Sequence, residues 1–277
     1  MVKISTLWKI CQASLLALTW ALSSLSTSVQ AAPAATEAIS IASAINKAGR
    51  QRMLSQRIIK AYCQVHLGIK PDFSEQILQD SISLFDTQLE ELRIAAVKPE
   101  LQQAWAEENN NWLKMRPILL RKASNAGARK LLELDEPLLA SAHKLTQLFD
   151  AESGQKAGYW INVAGRQRML SQRVAKFYMF KKMNMATPEI ETKLTQAKAD
   201  FLTAHKALIG GAANNPSIQT ELRLAKNQWS YLNVALLSDD DNDEAHKDSM
   251  ENVATTSERI LTIMNNVTEM FEKAYGN

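Results

Sequence analysis

An all-α fold of two tandem antiparallel four-helix bundles, following an export signal, is predicted by three features of this sequence. Nine glycines and seven prolines in 277 residues are few turn formers, which favours long helices with short connections over a sandwich, barrel or disordered chain. Hydrophobic residues make up 46% and aromatics 6%, ample for a core in one or two domains. The third feature is a repeat that spans most of the chain.

The repeat is explicit. Ile45-Asn46-Lys47-Ala48-Gly49-Arg50-Gln51-Arg52-Met53-Leu54-Ser55-Gln56-Arg57 returns as Ile161-Asn162-Val163-Ala164-Gly165-Arg166-Gln167-Arg168-Met169-Leu170-Ser171-Gln172-Arg173, with 12 of 13 positions identical at an offset of 116. Fainter echoes follow: Phe85 and Leu92 with Phe201 and Leu208 at 116, Pro99 and Trp112 with Pro216 and Trp229 at 117, and Leu145–Phe149 with Ile260–Met264 at 115.

The elements follow in order. Residues 1–31 carry Lys3 and Lys9, an uncharged stretch from Ile10 to Leu25, and Val29-Gln30-Ala31 at the end. That is the pattern of a secretory signal cleaved after Ala31, with a core short for a spanning helix. Its loss would take the formal charge from +3 to +1, since Lys3 and Lys9 leave and no acidic residue does. The mature protein is expected to be periplasmic. Cys11 would leave with the signal, so Cys63 remains alone as a small buried hydrophobe, with Met179 at the equivalent position.

Two bundles are read over residues 32–154 and 155–277. In the first, helices run over about 36–67, 74–96, from Pro99 to before Ser124, and from near Pro137 to about 153; in the second, over about 156–185, 188–209, 216–237 and 245–274. Prolines near helix starts and Gly or Asn past helix ends set these limits, and such lengths suit an up-down-up-down bundle. At Gly154-Gln155-Lys156-Ala157-Gly158 the chain either breaks, laying the bundles side by side, or continues as one helix of roughly 70 Å that stacks them end to end. The break is the reading adopted.

On a helical wheel, Leu54, Ile58 and Tyr62 form the core stripe of the first motif helix, and Arg50 and Arg57 point away from it toward water. Arg52 falls at the edge of the stripe, among Ala48, Gly49, Ser55 and Gln56; Arg168 repeats this with Ala164, Gly165, Ser171 and Gln172. A glycine inside a helix costs about 1 kcal/mol relative to alanine, so Gly49 and Gly165 need a packing or access reason. Arginine presents a planar fork of donors suited to a flat oxyanion. Two facing forks repel unless an anion lies between them, and Asn46, Asn162, Ser55, Ser171, Gln56 and Gln172 offer further hydrogen bonds. The alternative is that Arg52 and Arg168 hold carboxylates on neighbouring helices.

The motif resembles the start of the PilJ-type domain, the N-terminal domain of type IV pilus methyl-accepting transducers. It is also similar to the sensing element of NarX-type nitrate/nitrite sensor kinases. The resemblance implies periplasmic four-helix bundles that pair as dimers. In the sensor kinases nitrate binds at the dimer interface through the arginine three residues after the motif glycine, which matches Arg52 and Arg168 here, with Gly49 and Gly165 as the glycines. It covers about eighteen residues in each copy. Between glycine and arginine this chain has the PilJ-like pairs Arg50-Gln51 and Arg166-Gln167. Members of both kinds are membrane receptors with cytoplasmic signalling modules. Here no second hydrophobic span follows, so the chain is not expected to signal across a membrane alone, while its two copies supply covalently what receptors obtain by dimerising.

Other chemistry is sparse. His66, His143, His205 and His246 are scattered, with no metal-ligand spacing, phosphate loop or nucleophile motif. Neither cofactor nor metal is expected, and no enzyme activity. The run Asp239–Glu244 lacks the glycine of a calcium loop and reads as a solvated loop, as do Arg121-Lys122 and Arg129-Lys130. Trp105 and Trp112 read as core. With a net charge of +3, no nucleic-acid footprint is visible at the level of composition, and no nucleic-acid partner is expected. Two functions therefore stand: an exported module that binds a small oxyanion, nitrate or nitrite, or a ligand-free module that partners a pilus, chemosensory or sensor-kinase receptor, or a second copy of itself.

Overall fold

The computed structural model describes residues 39–154, 156–212, 214–238 and 243–275. The export segment and residues 239–242 lie outside them, while Asp243 and Glu244, read from sequence as part of an acidic loop, belong to the last helix. Among the described residues there are eight helices and no strand. They are α1 (Ile41–Leu67), α2 (Pro71–Ala95), α3 (Pro99–Leu119), α4 (Asn125–Ser153), α5 (Lys156–Lys182), α6 (Pro188–Gly211), α7 (Pro216–Leu237) and α8 (Asp243–Tyr275). The fold is all-α, and no described helix is long and apolar enough to cross a membrane.

Local chemistry sets the boundaries. The Ser40 hydroxyl accepts from the Ser43 N–H at 3.2 Å to open α1, and Gly68, at φ 68°, ends it in the left-handed region. Proline occupies the first turn of α2, α3, α6 and α7, where its missing N–H removes no helical bond. One expectation needs correction: Pro137 does not mark the start of the fourth helix. Ser124 caps α4 by accepting from the Gly127 N–H at 3.1 Å, so Asn125-Ala126-Gly127 form its first turn and Pro137 lies inside. Arg129 and Lys130 are therefore helical rather than part of a loop.

Each group of four helices closes into a ring. Around α1–α4, α1 packs on α2 and α4, and α3 packs on α4; α5–α8 repeat the pattern. The α2–α3 and α6–α7 seams are the loosest in each ring. Phe85 stacks on Trp112 with centroids 4.1 Å apart, and Phe201 on Trp229 at 3.9 Å, so the faint echoes of the repeat are its aromatic core. Cys63 and Met179 are fully buried, and burial pushes the Cys63 thiol up to about 12, as befits a packing residue.

The largest interface joins α1 to α5, the two motif helices. The chain turns back at Gly154, whose φ of 59° stops α4 before α5 begins. The copies therefore lie side by side within one compact unit, Ala38–Asn277. This places α1 against α2, α4 and α5 at once and buries it nearly all round. Arg57 accordingly does not face water. It is mostly buried and bridges Glu258 of α8, with Nη2 at 2.5 Å, and Ser81 of α2 at 3.0 Å.

Candidate functional site

Each polar residue of the motif has its own destination. Gln51 and Gln167 donate to the carbonyls of Phe85 and Phe201, at 3.0 and 2.7 Å, pinning the second helix of each copy to the first. Arg52 and Arg168 instead cross to the other copy. Arg52 Nη2 donates to the Asn162 side-chain oxygen at 2.8 Å and approaches its carbonyl at 3.4 Å; Arg168 Nη2 donates to the Asn46 carbonyl at 3.3 Å.

The glycines explain how two arginines fit there. A Cβ on Gly49 would lie 3.2 Å from Arg52 Nη2 and 3.6 Å from Arg168 Nη2; on Gly165 it would lie 3.1 Å from Arg168 Nη2 and 3.6 Å from Arg52 Nη2. Both guanidinium groups thus meet over the two glycine backbones, about a pseudo-twofold axis between the copies. The helix-propensity cost of each glycine leaves the space the arginines use.

Both arginines are buried, Arg52 at 1% and Arg168 at 0% exposure. No carboxylate among the described residues lies within ion-pair distance of either, and the Nε–H of each is buried without a partner. The carboxylates stand one residue removed. Asn162 donates to Asp150 at 3.0 Å and Asn46 to Glu272 at 2.5 Å, so the geometry is not that of arginines holding acids on neighbouring helices. Burial, then the Arg166 charge, lowers Arg52 to about 10 against the pull of Asp150 and Glu108. Arg168 is lowered well below its ordinary value by burial and by Arg50 and Arg52. Two like charges in a dry interface carry an electrostatic cost.

His143 and Asn265 complete the ring, each 3.2 Å from the Nη1 of Arg52 and Arg168 respectively. Burial, then Arg52 and Arg166, pushes His143 down to about 4, so at neutral pH it accepts from Arg52 as a neutral ring. Glu108, fully buried on α3 with both oxygens unpartnered, is pushed up to about 8 by burial against the pull of Arg52.

Of the residues expected at the site, Arg52, Arg168, Gly49, Gly165, Asn46 and Asn162 come together. Ser55, Ser171, Gln56 and Gln172 do not join them. The Ser55 and Ser171 hydroxyls donate to the carbonyls of Arg52 and Arg168 in their own helices, at 2.8 and 2.9 Å. Gln56 and Gln172 belong to a second polar layer one turn along. There the fully buried Lys60 donates to Gln172 at 2.7 Å and pairs with Glu258 at 2.5 Å, while Lys176 donates to Gln56 at 2.7 Å and pairs with Asp135. Burial opposes the charge on Glu258, but Lys60 and Arg57 overcome it and hold the carboxyl at about 2. These lysines were legible, since they continue the repeat three residues past the motif at the same offset of 116.

His143 and Asn265 were not legible. They stand 122 residues apart, as do Asp150 and Glu272, and Glu136 and Glu258, which pair with Arg173 and Arg57. The echo of Leu145–Phe149 at offset 115 is therefore corrected: structural equivalence between α4 and α8 falls one heptad further along. A shift of seven keeps the same helix face inward, so the apolar pattern alone does not distinguish the two registers.

The described residues bring together no group of three metal-ligating side chains. No curated protein and no solved structure matches the chain. The family model for the type IV pili methyl-accepting chemotaxis transducer N-terminal domain, PilJ, matches residues 34–140 and again 151–270. The first match covers α1 to α3 and part of α4, and the second begins in the last turn of α4, so each carries one copy of the Gly-x-x-Arg motif whose arginines meet across the α1–α5 interface. The chain belongs to the PilJ family, with two copies of this chemotransducer N-terminal module in tandem.

Proposed function

We propose that this protein is an exported, non-catalytic sensing module that binds one small oxyanion, nitrate or nitrite, between Arg52 and Arg168. The observation that carries the reading is the pair itself: two buried guanidinium groups, drawn from the two copies onto facing glycines, without a carboxylate partner. An anion between them would receive charge-assisted hydrogen bonds and offset the repulsion. The similarity to NarX-type sensors, where the corresponding arginine reads nitrate at a dimer interface, supports the ligand class. Periplasmic location, with a leader cleaved near Ala31, accords with the family. A single pseudo-dimeric site would report occupancy by changing how α1 and α5 pack.

Calorimetric titration of the purified chain with nitrate and nitrite, against chloride at fixed ionic strength, tests this. The expected result is saturable heat with a stoichiometry of one, removed by Arg52→Ala and by Arg168→Ala separately. Silence from folded protein sinks the reading.

A second reading has an observation of its own. Tyr231, Val234 and Leu237 on α7 are 65%, 65% and 68% exposed, an apolar surface suited to a receptor domain or a second copy. A partner module of this kind would show association with no anion dependence beyond ionic strength.

A further inference from the structure

A groove opens beside Arg52, between α4 of the first copy and α6 of the second, with α5 beneath it. It encloses about 300 Å3, at the lower end of small-ligand sites. Its lining is largely apolar, from Leu139 on α4, Met169 and Leu170 on α5 and Ala197 on α6.

The charges around it do not cancel. Arg166 pairs with Asp200 at 3.0 Å, and Arg173 and Lys193 share Glu136 at 2.8 and 3.5 Å. Lys193 has a second partner in Glu189 at 2.6 Å. Arg52 alone among these four cations has no carboxylate within ion-pair distance among the described residues, and it is the one that is buried, with its Nε–H unpartnered. An unneutralised guanidinium at the wall of an apolar groove suits an anion that carries an apolar body. A bare inorganic ion would leave the apolar surface wet.

The opposite flank of the pseudo-dimer is built differently. At offset 116, Lys193, Ala197 and Asp200 correspond to Ile77, Ser81 and Leu84. Ile77 and Ser81 are buried, Leu84 packs on the core, and Arg57 spans the flank from Ser81 to Glu258. The two copies therefore do not present equivalent grooves, and the α4–α6 groove exists because the copies are joined side by side.

We propose that the α4–α6 groove is a binding site for a small organic carboxylate, which places its carboxylate on Arg52 and its apolar body on Met169 and Leu170. The proposal rests on the reading of Arg52 as an anion receptor and adds a ligand class that the arginine pair alone does not call for. Because Arg52 serves both places, occupancy of the groove is coupled to whatever lies between the arginines.

The test is titration of the full chain with benzoate and hexanoate at fixed ionic strength, with nitrate and chloride in parallel arms. Folding of each variant is verified by thermal unfolding. Saturable binding of at least one carboxylate is expected, lost in Arg52→Ala. Ala140→Trp, at an exposed position on the groove's edge, should weaken carboxylate binding by about tenfold or more and leave nitrate unchanged. Carboxylate binding that survives either substitution overturns the proposal, as does its absence from a chain that binds nitrate. Carboxylate binding with both sensitivities, but no nitrate binding, supports the groove and removes the oxyanion reading. A folded chain that binds neither removes both.

Discussion

His143 and Asn265 hold equivalent places against the two buried arginines, each 3.2 Å from an Nη1 atom, yet one is an imidazole and the other an amide. The pseudo-twofold axis thus relates positions more faithfully than it relates chemistry. This asymmetry predicts a pH effect. Burial and the neighbouring Arg52 depress His143 from 6.5 to about 4, so between those values the unfolded chain binds a proton that the folded chain does not. Its contribution to stability is complete above 6.5 and is lost as pH falls toward 4. His143→Asn, which copies the second half into the first, should flatten that part of a Tm-against-pH profile.

Glu258 ties the copies together through Arg57 and Lys60. Replacing it with glutamine leaves Lys60 buried without its counterion, which should cost about 3–5 kcal/mol at neutral pH. The wild-type contribution is present above the ordinary carboxylate value of 4.5 and is lost as pH falls from there toward 2. The Glu258→Gln variant should therefore lack that acid limb. As a contrast, Glu90→Gln, which breaks the exposed pair with Arg93, should change stability by less than about 1 kcal/mol. Urea unfolding of the two variants side by side measures the difference.

Glu108 predicts the opposite slope. Burial raises it from 4.5 to about 8, so the unfolded chain loses this proton first and stability falls as pH rises from 4.5 to 8. The second copy has Ala225 at the equivalent position, fully buried, and packs without an acid. Glu108→Leu should remove the slope and stabilise the protein at pH 8 by an amount on the order of a few kcal/mol. A variant no more stable than wild type at that pH would show that the carboxyl finds a partner when ionised.

Gly49→Ala and Gly165→Ala separate folding from binding. Each restores about 1 kcal/mol of helix propensity but puts a methyl 3.2 or 3.1 Å from the Nη2 of the local arginine, so the guanidinium must move. Tm is expected to stay level or rise while oxyanion affinity drops by about tenfold or more. Loss of both together would mean that the glycines serve packing alone.

Short-range chemistry accounts for what the sequence by itself determined. The all-α class, α7 over 216–237, the stop of α1 at Gly68, the tandem repeat, and the pairing of Gly49 with Arg52 and Gly165 with Arg168 all follow from interactions within a few turns of chain. These are periodicity, capping, proline placement and side-chain size. The start of α1, read near residue 36, instead falls at Ile41 behind the Ser40 cap. Tertiary structure decided which faces meet. The left-handed turn at Gly154 set the copies side by side, and that contact buried Arg57, brought Arg52 and Arg168 together and sent Gln56 and Gln172 to the lysine layer. It also chose a register of 122 for α8 over the apparent 115, bringing Asn265 to the place His143 holds. A helix reads the same to its own residues in either heptad, and only the polar partners across the interface distinguish the two.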